Sequence, residues 1–192
     1  MLTADENRLL TQTAEDTPMG QYFRRFWQPV ALASELSEPD GPPIRVTVMG
    51  EELVAFRDTE GRIGLIDAYC PHRGANLYFG RNENCGLRCV YHGWKFDVNG
   101  KTVEMPNVPP GARMHDEITT KAYPTQAFGD FIWAYLGPPD TMPEVPQLEF
   151  GLVPETHRYV SKRYNECNWA QTMEGGLDTS HFSFLHMPAP SV

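Results

Sequence analysis

Two short cysteine–histidine pairs carry the clearest chemistry in this chain. The first is Cys70-x-His72 and the second is Cys89-x-x-His92, with sixteen residues between the inner members His72 and Cys89. Two thiolates and two imidazoles can hold a [2Fe–2S] cluster, with both cysteines on one iron and both histidines on the other. Because neutral imidazole removes negative charge from one iron, the pattern predicts a cluster that accepts an electron more readily than an all-cysteine cluster.

A structural zinc site of the Cys2His2 kind is the alternative use of the same four side chains. Zinc fingers typically pair cysteine with cysteine and histidine with histidine along the chain. Here each pair mixes the two residue types, at two separate places in the sequence. The doubled mixed pattern therefore favours an iron–sulfur centre over zinc.

A second set of possible metal ligands lies near the end of the sequence, where Asp178, His181 and His186 follow one another closely. Two histidines and a carboxylate are the ligand types of a mononuclear non-haem Fe(II) site. On an ideal helix His181 and His186 would lie about 140° apart around the axis, so one metal would require a distorted or locally widened helix. Surface or core histidines are the alternative interpretation of this pair.

Short β-rich segments dominate the region that must position the cysteine–histidine pairs. The segments PVALA, IRVTVM, ELVAFR and RIGLI are separated by sequences typical of hairpin turns at 50–51 and 58–61. Asn99-Gly100 predicts a type I′ turn, and Gly129-Asp130 predicts a type II′ turn. Thr17-Pro18 predicts the start of a short helix, and LDTSHFSFLH at 177–186 is interpreted as helical. Together these signals predict a small antiparallel β domain with the ligand loops at its tip.

Composition limits the classes of function and location. The chain has 192 residues and a net charge of −9, which argues against nucleic acid as a partner. No run of eighteen apolar residues and no basic-then-apolar N-terminus is present, so neither a membrane helix nor a secretory signal is expected. The remaining cysteines, Cys85 and Cys167, are expected to be free thiols in a cytoplasmic protein.

Basic residues are concentrated around the cysteine–histidine pairs despite the acidic total. Between 70 and 101 there are five basic residues and two acidic ones. We call the basic set the basic collar; it consists of Arg73, Arg81, Arg88, Lys95 and Lys101. It is interpreted either as a docking surface for an acidic electron donor or neighbouring subunit, or as ordinary solvated surface.

Residues 27–136, which contain both pairs, resemble the Rieske domain of bacterial aromatic-ring-hydroxylating oxygenases. The resemblance implies a terminal oxygenase (α) subunit, with Cys70, His72, Cys89 and His92 as ligands of a Rieske [2Fe–2S] cluster. It also implies that His181 and His186 bind a mononuclear Fe(II). Asn168-Trp169 and Glu174-Gly175-Gly176 are similar to the phthalate-dioxygenase-like branch of this family.

Asp178 matches the catalytic carboxylate that, in this family, links an iron-binding histidine to a Rieske histidine of an adjacent subunit. The resemblance implies the same position for Asp178, between His181 and a neighbouring copy's equivalent of His92. The third iron ligand of the family is an aspartate that is absent from this chain. The chain is therefore expected to be an N-terminal fragment that is inactive by itself.

The resemblance implies a mainly β fold, with a Rieske antiparallel β domain followed by the truncated start of an α+β catalytic domain. Four segments are expected: an N-terminal helical segment 1–26, the Rieske domain 27–137, a linker 138–157 and the start of the catalytic domain 158–192. The expected activity is O2-dependent hydroxylation or demethylation of an aromatic compound. A ferredoxin or flavin-dependent reductase would supply electrons to a homo-oligomer, expected to be a trimer. The alternative is a stand-alone Rieske-type electron carrier without catalysis.

Overall fold

The computed structural model describes residues 2–109 and 114–188, and within them ten strands form three antiparallel sheets. The sheets have the strand orders β1-β10-β9, β2-β3-β4 and β5-β6-β7-β8. The mainly β prediction is therefore confirmed. The strands are β1 Trp27–Leu32, β2 Ile44–Val48, β3 Glu51–Arg57, β4 Ile63–Asp67, β5 Arg81–Asn82, β6 Leu87–Arg88, β7 Lys95–Phe96, β8 Thr102–Glu104, β9 Thr125–Phe128 and β10 Phe131–Tyr135.

The sheet β2-β3-β4 is covered on both faces, because the central strand β3 sends alternate side chains into two different cores. Leu53 and Ala55 pack with residues of β1 and β10, whereas Val54 and Phe56 pack with residues of β6 and β7. All four of these side chains are at most 2% exposed. A strand buried on both faces has a continuous run of apolar residues, as LVAF at 53–56 does here. The second of these cores also contains both candidate cysteine ligands.

Six helices lie outside the sheets in the described residues: α1 Ala4–Thr11, α2 Pro18–Phe23, α3 Met114–Glu117, α4 Glu149–Leu152, α5 Trp169–Leu177 and α6 Phe182–Leu185. Thr17 caps α2, and Pro18 occupies its first turn, as the sequence predicted. Asn168 caps helix α5, and its side-chain oxygen accepts a hydrogen bond from the Ala170 N–H. None of the described helices is long and apolar enough to cross a membrane.

Two of the turn predictions are wrong in type. Gly129 and Asp130 both have positive φ, 60° and 66°, which is the type I′ pattern rather than type II′. At the other turn only Gly100 has positive φ, and its N–H donates to the Asp97 carbonyl. The Asp97 carboxylate also accepts hydrogen bonds from the N–H groups of Asn99 and Lys101. These bonds stabilise the connection between β7 and β8, which is longer than a two-residue type I′ turn.

The segment 138–157 packs against the first sheet rather than crossing solvent. The buried Val145 contacts an aromatic group formed by Trp27, Trp133 and Tyr135. The Trp27 indole N–H donates to the Pro143 carbonyl at 2.8 Å. This segment therefore adds to the core, whereas the boundaries of the four expected segments stay a prediction.

Candidate metal centres

The two cysteine–histidine pairs lie in two loops at one end of the β structure. The first loop, 70–75, follows β4 and is closed by an isolated bridge between Tyr69 and Asn76. The second loop, 89–94, connects β6 to β7, whose residues Arg88 and Lys95 are paired directly opposite each other. The predicted arrangement of two ligand loops on an antiparallel β domain is therefore present.

The two loops share one backbone design. The N–H of each cysteine, Cys70 and Cys89, donates to the carbonyl five residues later, at 2.9 and 2.8 Å. The N–H of each loop glycine donates back to the carbonyl of that cysteine, at 2.9 Å for Gly74 and 3.1 Å for Gly93. Both glycines have positive φ, 67° and 75°, a conformation that glycine adopts with little steric cost. The two loops therefore hold their cysteines in a similar way, whereas the histidine lies one residue further along in the second loop.

The two thiols are buried next to each other. Cys70 and Cys89 are 2% and 3% exposed. Burial, together with the adjacent Cys89, raises the pKa of the Cys70 thiol to about 11, although the backbone N–H groups of His72 and Arg73 oppose the rise. Two thiolates in such a place need a cation to offset the cost of burying their charge. This donor set fits a site that a metal completes.

The two histidines face the same region. The ring centroids of His72 and His92 are 4.6 Å apart. Burial lowers the pKa of His72, and His92 and Arg73 lower it further, so this ring is neutral at neutral pH, as a ligand must be. The Nδ1 atom of His92 is buried and has no hydrogen-bond partner among the described residues. A buried nitrogen without a partner is costly unless something binds it, which again fits a metal centre.

Trp94 joins the two loops. Its ring is stacked on the His72 ring, with centroids 4.4 Å apart and planes inclined by 6°. Its indole N–H donates to the Asn107 side-chain oxygen at 2.7 Å. Trp94 is itself 4% exposed, so the stack belongs to the core beneath the ligand loops.

The second set of possible ligands lies on an interrupted helix. Helix α5 ends at Leu177, and Asp178 has extended backbone angles, so the continuous helix interpreted for 177–186 is wrong. The short helix α6 begins after His181 and ends before His186. The break at Asp178 lies before both histidines, which flank α6 directly, and the rings of His181 and His186 are 5.3 Å apart. The carboxylate hydrogen bonds described next stabilise this break.

Asp178 orients His181. The Asp178 carboxylate accepts hydrogen bonds from the Ser180 hydroxyl at 2.6 Å, the Ser180 N–H at 2.8 Å and the His181 Nδ1–H at 2.9 Å. The Ser180 hydroxyl and His181 hold the pKa of Asp178 well below its usual range, so the group is a carboxylate at neutral pH. Since a carboxylate can only accept, the proton of His181 lies on Nδ1, and Nε2 keeps a lone pair for a metal.

Two residues of the basic collar are not part of a solvated positive surface. Arg88 and Lys95 have side chains that are 12% and 5% exposed, and both pair with Glu104. Glu83 pairs with Arg88 and, more loosely, with Arg81. Arg88 and Lys95 thus belong to a largely buried ion-pair network beneath the second loop, whereas the Arg81 side chain is 65% exposed. This finding corrects the interpretation of Arg88 and Lys95 as exposed surface, and both interpretations of the other three residues stay predictions.

Comparison with known proteins assigns the family. The Rieske [2Fe-2S] domain family matches residues 26–124, just over half of the chain. The chain belongs to this family. Its Rieske region is followed at residues 134–190 by a match to the family described as LigXa C-terminal domain like. The predicted Rieske recognition is confirmed, and with it the Rieske [2Fe–2S] cofactor.

The curated relatives are oxygenase subunits. The Rieske chain is 52% identical over 189 residues to the phthalate 4,5-dioxygenase oxygenase subunit of Pseudomonas putida, covering 97% of this chain and 42% of the relative. It is 40% identical over 189 residues to the 5,5'-dehydrodivanillate O-demethylase oxygenase subunit of a Sphingobium species, covering 97% of this chain and 44% of the relative. The chain thus spans less than half the length of these relatives.

Solved structures agree with this fold. A mutant of NdmA from Pseudomonas putida CBB5 with theobromine is similar, with a TM-score of 0.72 and 26% identity over 88% of this chain and 52% of that chain. Dicamba monooxygenase with non-heme iron and dicamba has a TM-score of 0.56 and 31% identity over 64% of this chain and 36% of that chain. The predicted fold class of a Rieske domain followed by part of a catalytic domain is confirmed.

Two features of the site were not predicted from the sequence. One is the stacking of Trp94 on His72, and the other is the contact of Arg88 with the second loop. Both depend on pairing between β6, β7 and β8, whose short strands give little periodic signal. The position of Arg88 directly before Cys89 was the only local signal.

Proposed function

We propose that four side chains hold the Rieske cluster, namely Cys70 and Cys89 on one iron and His72 and His92 on the other. The observation that carries this proposal is the matched pair of loops, which brings two buried thiols and two neighbouring imidazoles together. When bound, the cluster supplies one-electron transfer. The chain's contribution is to hold the four ligands in fixed loops, exclude water from the thiols and stack Trp94 against His72.

We further propose that this chain belongs to the terminal oxygenase component of an aromatic-ring mono- or dioxygenase. In this proposal 1–26 is a helical segment, 27–137 the Rieske domain, 138–157 a linker and 158–192 the start of the catalytic domain. The names of the relatives, a dioxygenase and an O-demethylase, support hydroxylation or demethylation of an aromatic compound. The electron donor would be a ferredoxin or a flavin-dependent reductase, and the assembly a homo-oligomer such as a trimer in the cytoplasm.

His181 and His186 are the proposed protein ligands of a mononuclear Fe(II), and Asp178 is the proposed link from His181 toward a Rieske histidine of a neighbouring copy. The Asp178–His181 hydrogen bond supports this role, because it fixes the tautomer that leaves Nε2 available. A stand-alone electron carrier would have no use for this arrangement. The presence of the three residues therefore favours an oxygenase over a carrier.

The cluster proposal is tested on the purified chain by its colour, iron and acid-labile sulfide content and the electron paramagnetic resonance spectrum after reduction. About two irons per chain and the low average g value of mixed histidine and cysteine ligation are expected. The Cys89→Ser variant should lose the cluster, whereas Cys85→Ser, which removes a cysteine outside the two loops, should keep it. A colourless, zinc-loaded protein would contradict the proposal.

The role of Asp178 is tested in a chain extended to the length of its relatives. Asp178→Asn should retain the cluster and its reduction by the donor, but product formation should fall by about a hundredfold, because a neutral amide weakens the hydrogen bonds to the imidazoles. Asp140→Asn, a change at an exposed residue of the 138–157 segment, is the matched control. Product formation at the unmodified rate in Asp178→Asn would rule out the linking role.

A further inference from the structure

Arg88 reaches three different acceptors with one guanidinium group. Its Nε donates to Glu83 at 2.6 Å, its Nη2 donates to Glu104 at 2.7 Å, and its Nη1 donates to the Gly93 carbonyl at 2.9 Å. Gly93 directly follows the candidate ligand His92. The rigid fork of arginine therefore connects the Gly93 carbonyl, one residue after His92, to Glu83, which follows β5, and to Glu104 in β8.

The contact acts on the glycine that closes the second loop. Gly93 has a φ of 75° and closes the loop through its N–H bond to the Cys89 carbonyl. Glycine has more backbone freedom than any other residue, so the direction of its carbonyl needs an external restraint. Arg88 supplies that restraint from beneath the loop, since its side chain is 12% exposed.

Among the described residues, the first loop has no equivalent arginine contact. Its equivalent residue before the cysteine is Tyr69, which is 45% exposed and whose hydroxyl donates to Glu52 at 2.5 Å. Among the residues that the structure describes, no charged side chain donates to a backbone carbonyl of 70–75. The first loop instead has the Trp94 ring against His72. The two candidate histidines are thus held by different means.

We propose that Arg88 is the positioning residue of the second ligand loop, fixing the orientation of His92 at the Rieske cluster through the Gly93 carbonyl. This inference rests on the proposed assignment of His92 as a cluster ligand. Glu83 and Glu104 hold the guanidinium in place and balance its charge, with Lys95 as a second cation on Glu104. The ligand orientation, and through it the reduction potential, depends on all three bonds of Arg88.

The test compares Arg88→Met and Arg88→Lys with the control Arg81→Met in the chain loaded with its cluster. Arg81 also pairs with Glu83, at 3.3 Å, but its side chain is 65% exposed, and within the part of the chain that the structure describes it makes no hydrogen bond to either ligand loop. The readouts are the histidine-nitrogen couplings of the reduced cluster in pulsed electron paramagnetic resonance and the ratio of reduced to oxidised cluster at a fixed solution potential.

Arg88→Met should change the nitrogen couplings and lower the reduced-to-oxidised ratio by about fivefold, because a nearby positive charge and a ligand restraint are both lost. Arg81→Met should leave both measurements unchanged. Arg88→Lys keeps the charge but lacks the fork that spans three acceptors, so its couplings should still differ from those of the parent chain.

Three outcomes would overturn the inference. The first is unchanged couplings and ratio in Arg88→Met, and the second is an equal change in Arg81→Met, which would indicate a general charge effect. The third, decisive if Arg88→Met does not assemble a cluster, is an Arg88→Lys variant with the couplings of the parent chain. A parent chain that assembles no cluster would instead contradict the proposed function, so the two failures are distinguishable.

Discussion

At the scale of single residues, the chemistry of the ligands was readable from the sequence, whereas their supports were not. Cysteine and histidine at mixed spacing predicted the pairs that the two loops bring together. The supports are Trp94, which contacts the other loop, and Arg88, which contacts the carboxylates of Glu83 and Glu104. Neither contact has a sequence spacing that identifies it, because each depends on how short strands pair.

We predict that Trp94 is a main source of stability for the ligand loops. Trp94→Ala should lower the free energy of unfolding by about 3–5 kcal/mol, since it removes a buried ring and its stack on His72. Trp94→Phe keeps an aromatic ring and should cost less. Asn107→Ala, which removes only the acceptor of the indole N–H, should cost about 1 kcal/mol. Denaturant unfolding followed by circular dichroism measures all three.

The decisive result is the order of the three losses in the free energy of unfolding. If Asn107→Ala destabilised the protein as much as Trp94→Ala, the hydrogen bond rather than the stack would be the main contribution. If Trp94→Ala had no effect, the ring would not belong to the core. The change in secondary-structure content of the folded variants serves as a control for misfolding.

At the scale of elements, the positions of strands and turns were more predictable than the types of turns. The four β-rich segments from PVALA to RIGLI correspond to β1–β4. Glycine next to a polar residue marked the turns, but such a pair is compatible with several turn types. The type was decided by neighbours, such as the Asp97 carboxylate that accepts two backbone N–H groups. The helix break at Asp178 has the same origin, in hydrogen bonds to a carboxylate.

The turn at Gly129 provides a stability prediction. Its φ is 60°, and a Cβ atom there would lie 2.8 Å from Phe150 Cε2, so Gly129→Ala should destabilise the protein by at least about 1 kcal/mol. Gly175 lies inside α5 with open space around it. Gly175→Ala should therefore stabilise the protein by about 0.5–1 kcal/mol. Both variants carry the same chemical change, and their midpoint temperatures of thermal unfolding should shift in opposite directions. Shifts in the same direction would contradict this account.

At the scale of the whole molecule, the contacts that join distant parts of the chain could not be predicted from sequence patterns. Strand β1 pairs with β10, about a hundred residues later. Near the end of the chain, Asn168 donates to the Thr11 carbonyl at 2.9 Å, and Trp169 packs edge-on against Phe23 with ring centroids 4.9 Å apart. Local periodicity carries no information on such pairings. They nevertheless connect the N-terminal helices to the segment that carries Asp178.

The N-terminal segment is also joined to the β structure by a charged network centred on Glu51. Arg24 and Lys121 contact the Glu51 carboxylate at 2.5 and 2.8 Å, and the Tyr123 hydroxyl donates to it at 2.8 Å. Lys121 extends the network to Glu15 at 2.9 Å. Burial raises the pKa of Glu51, but hydrogen bonds from Lys121, Tyr123 and Arg24 lower it more, so the pKa lies below its ordinary value of 4.5.

We predict that Glu51→Gln destabilises the protein by about 3 kcal/mol at neutral pH, because it leaves the buried Arg24 without its countercharge. A carboxyl whose pKa is lowered by folding contributes stability above its unfolded pKa and loses it as the pH falls through its folded pKa. The difference between the parent chain and Glu51→Gln should therefore be full above about pH 5 and should shrink progressively below pH 4.5. Denaturant unfolding across this pH range measures it, with Glu38→Gln, at an exposed carboxyl, as the control. A difference that stayed constant from pH 7 to pH 3 would show that the charge of Glu51 does not stabilise the fold.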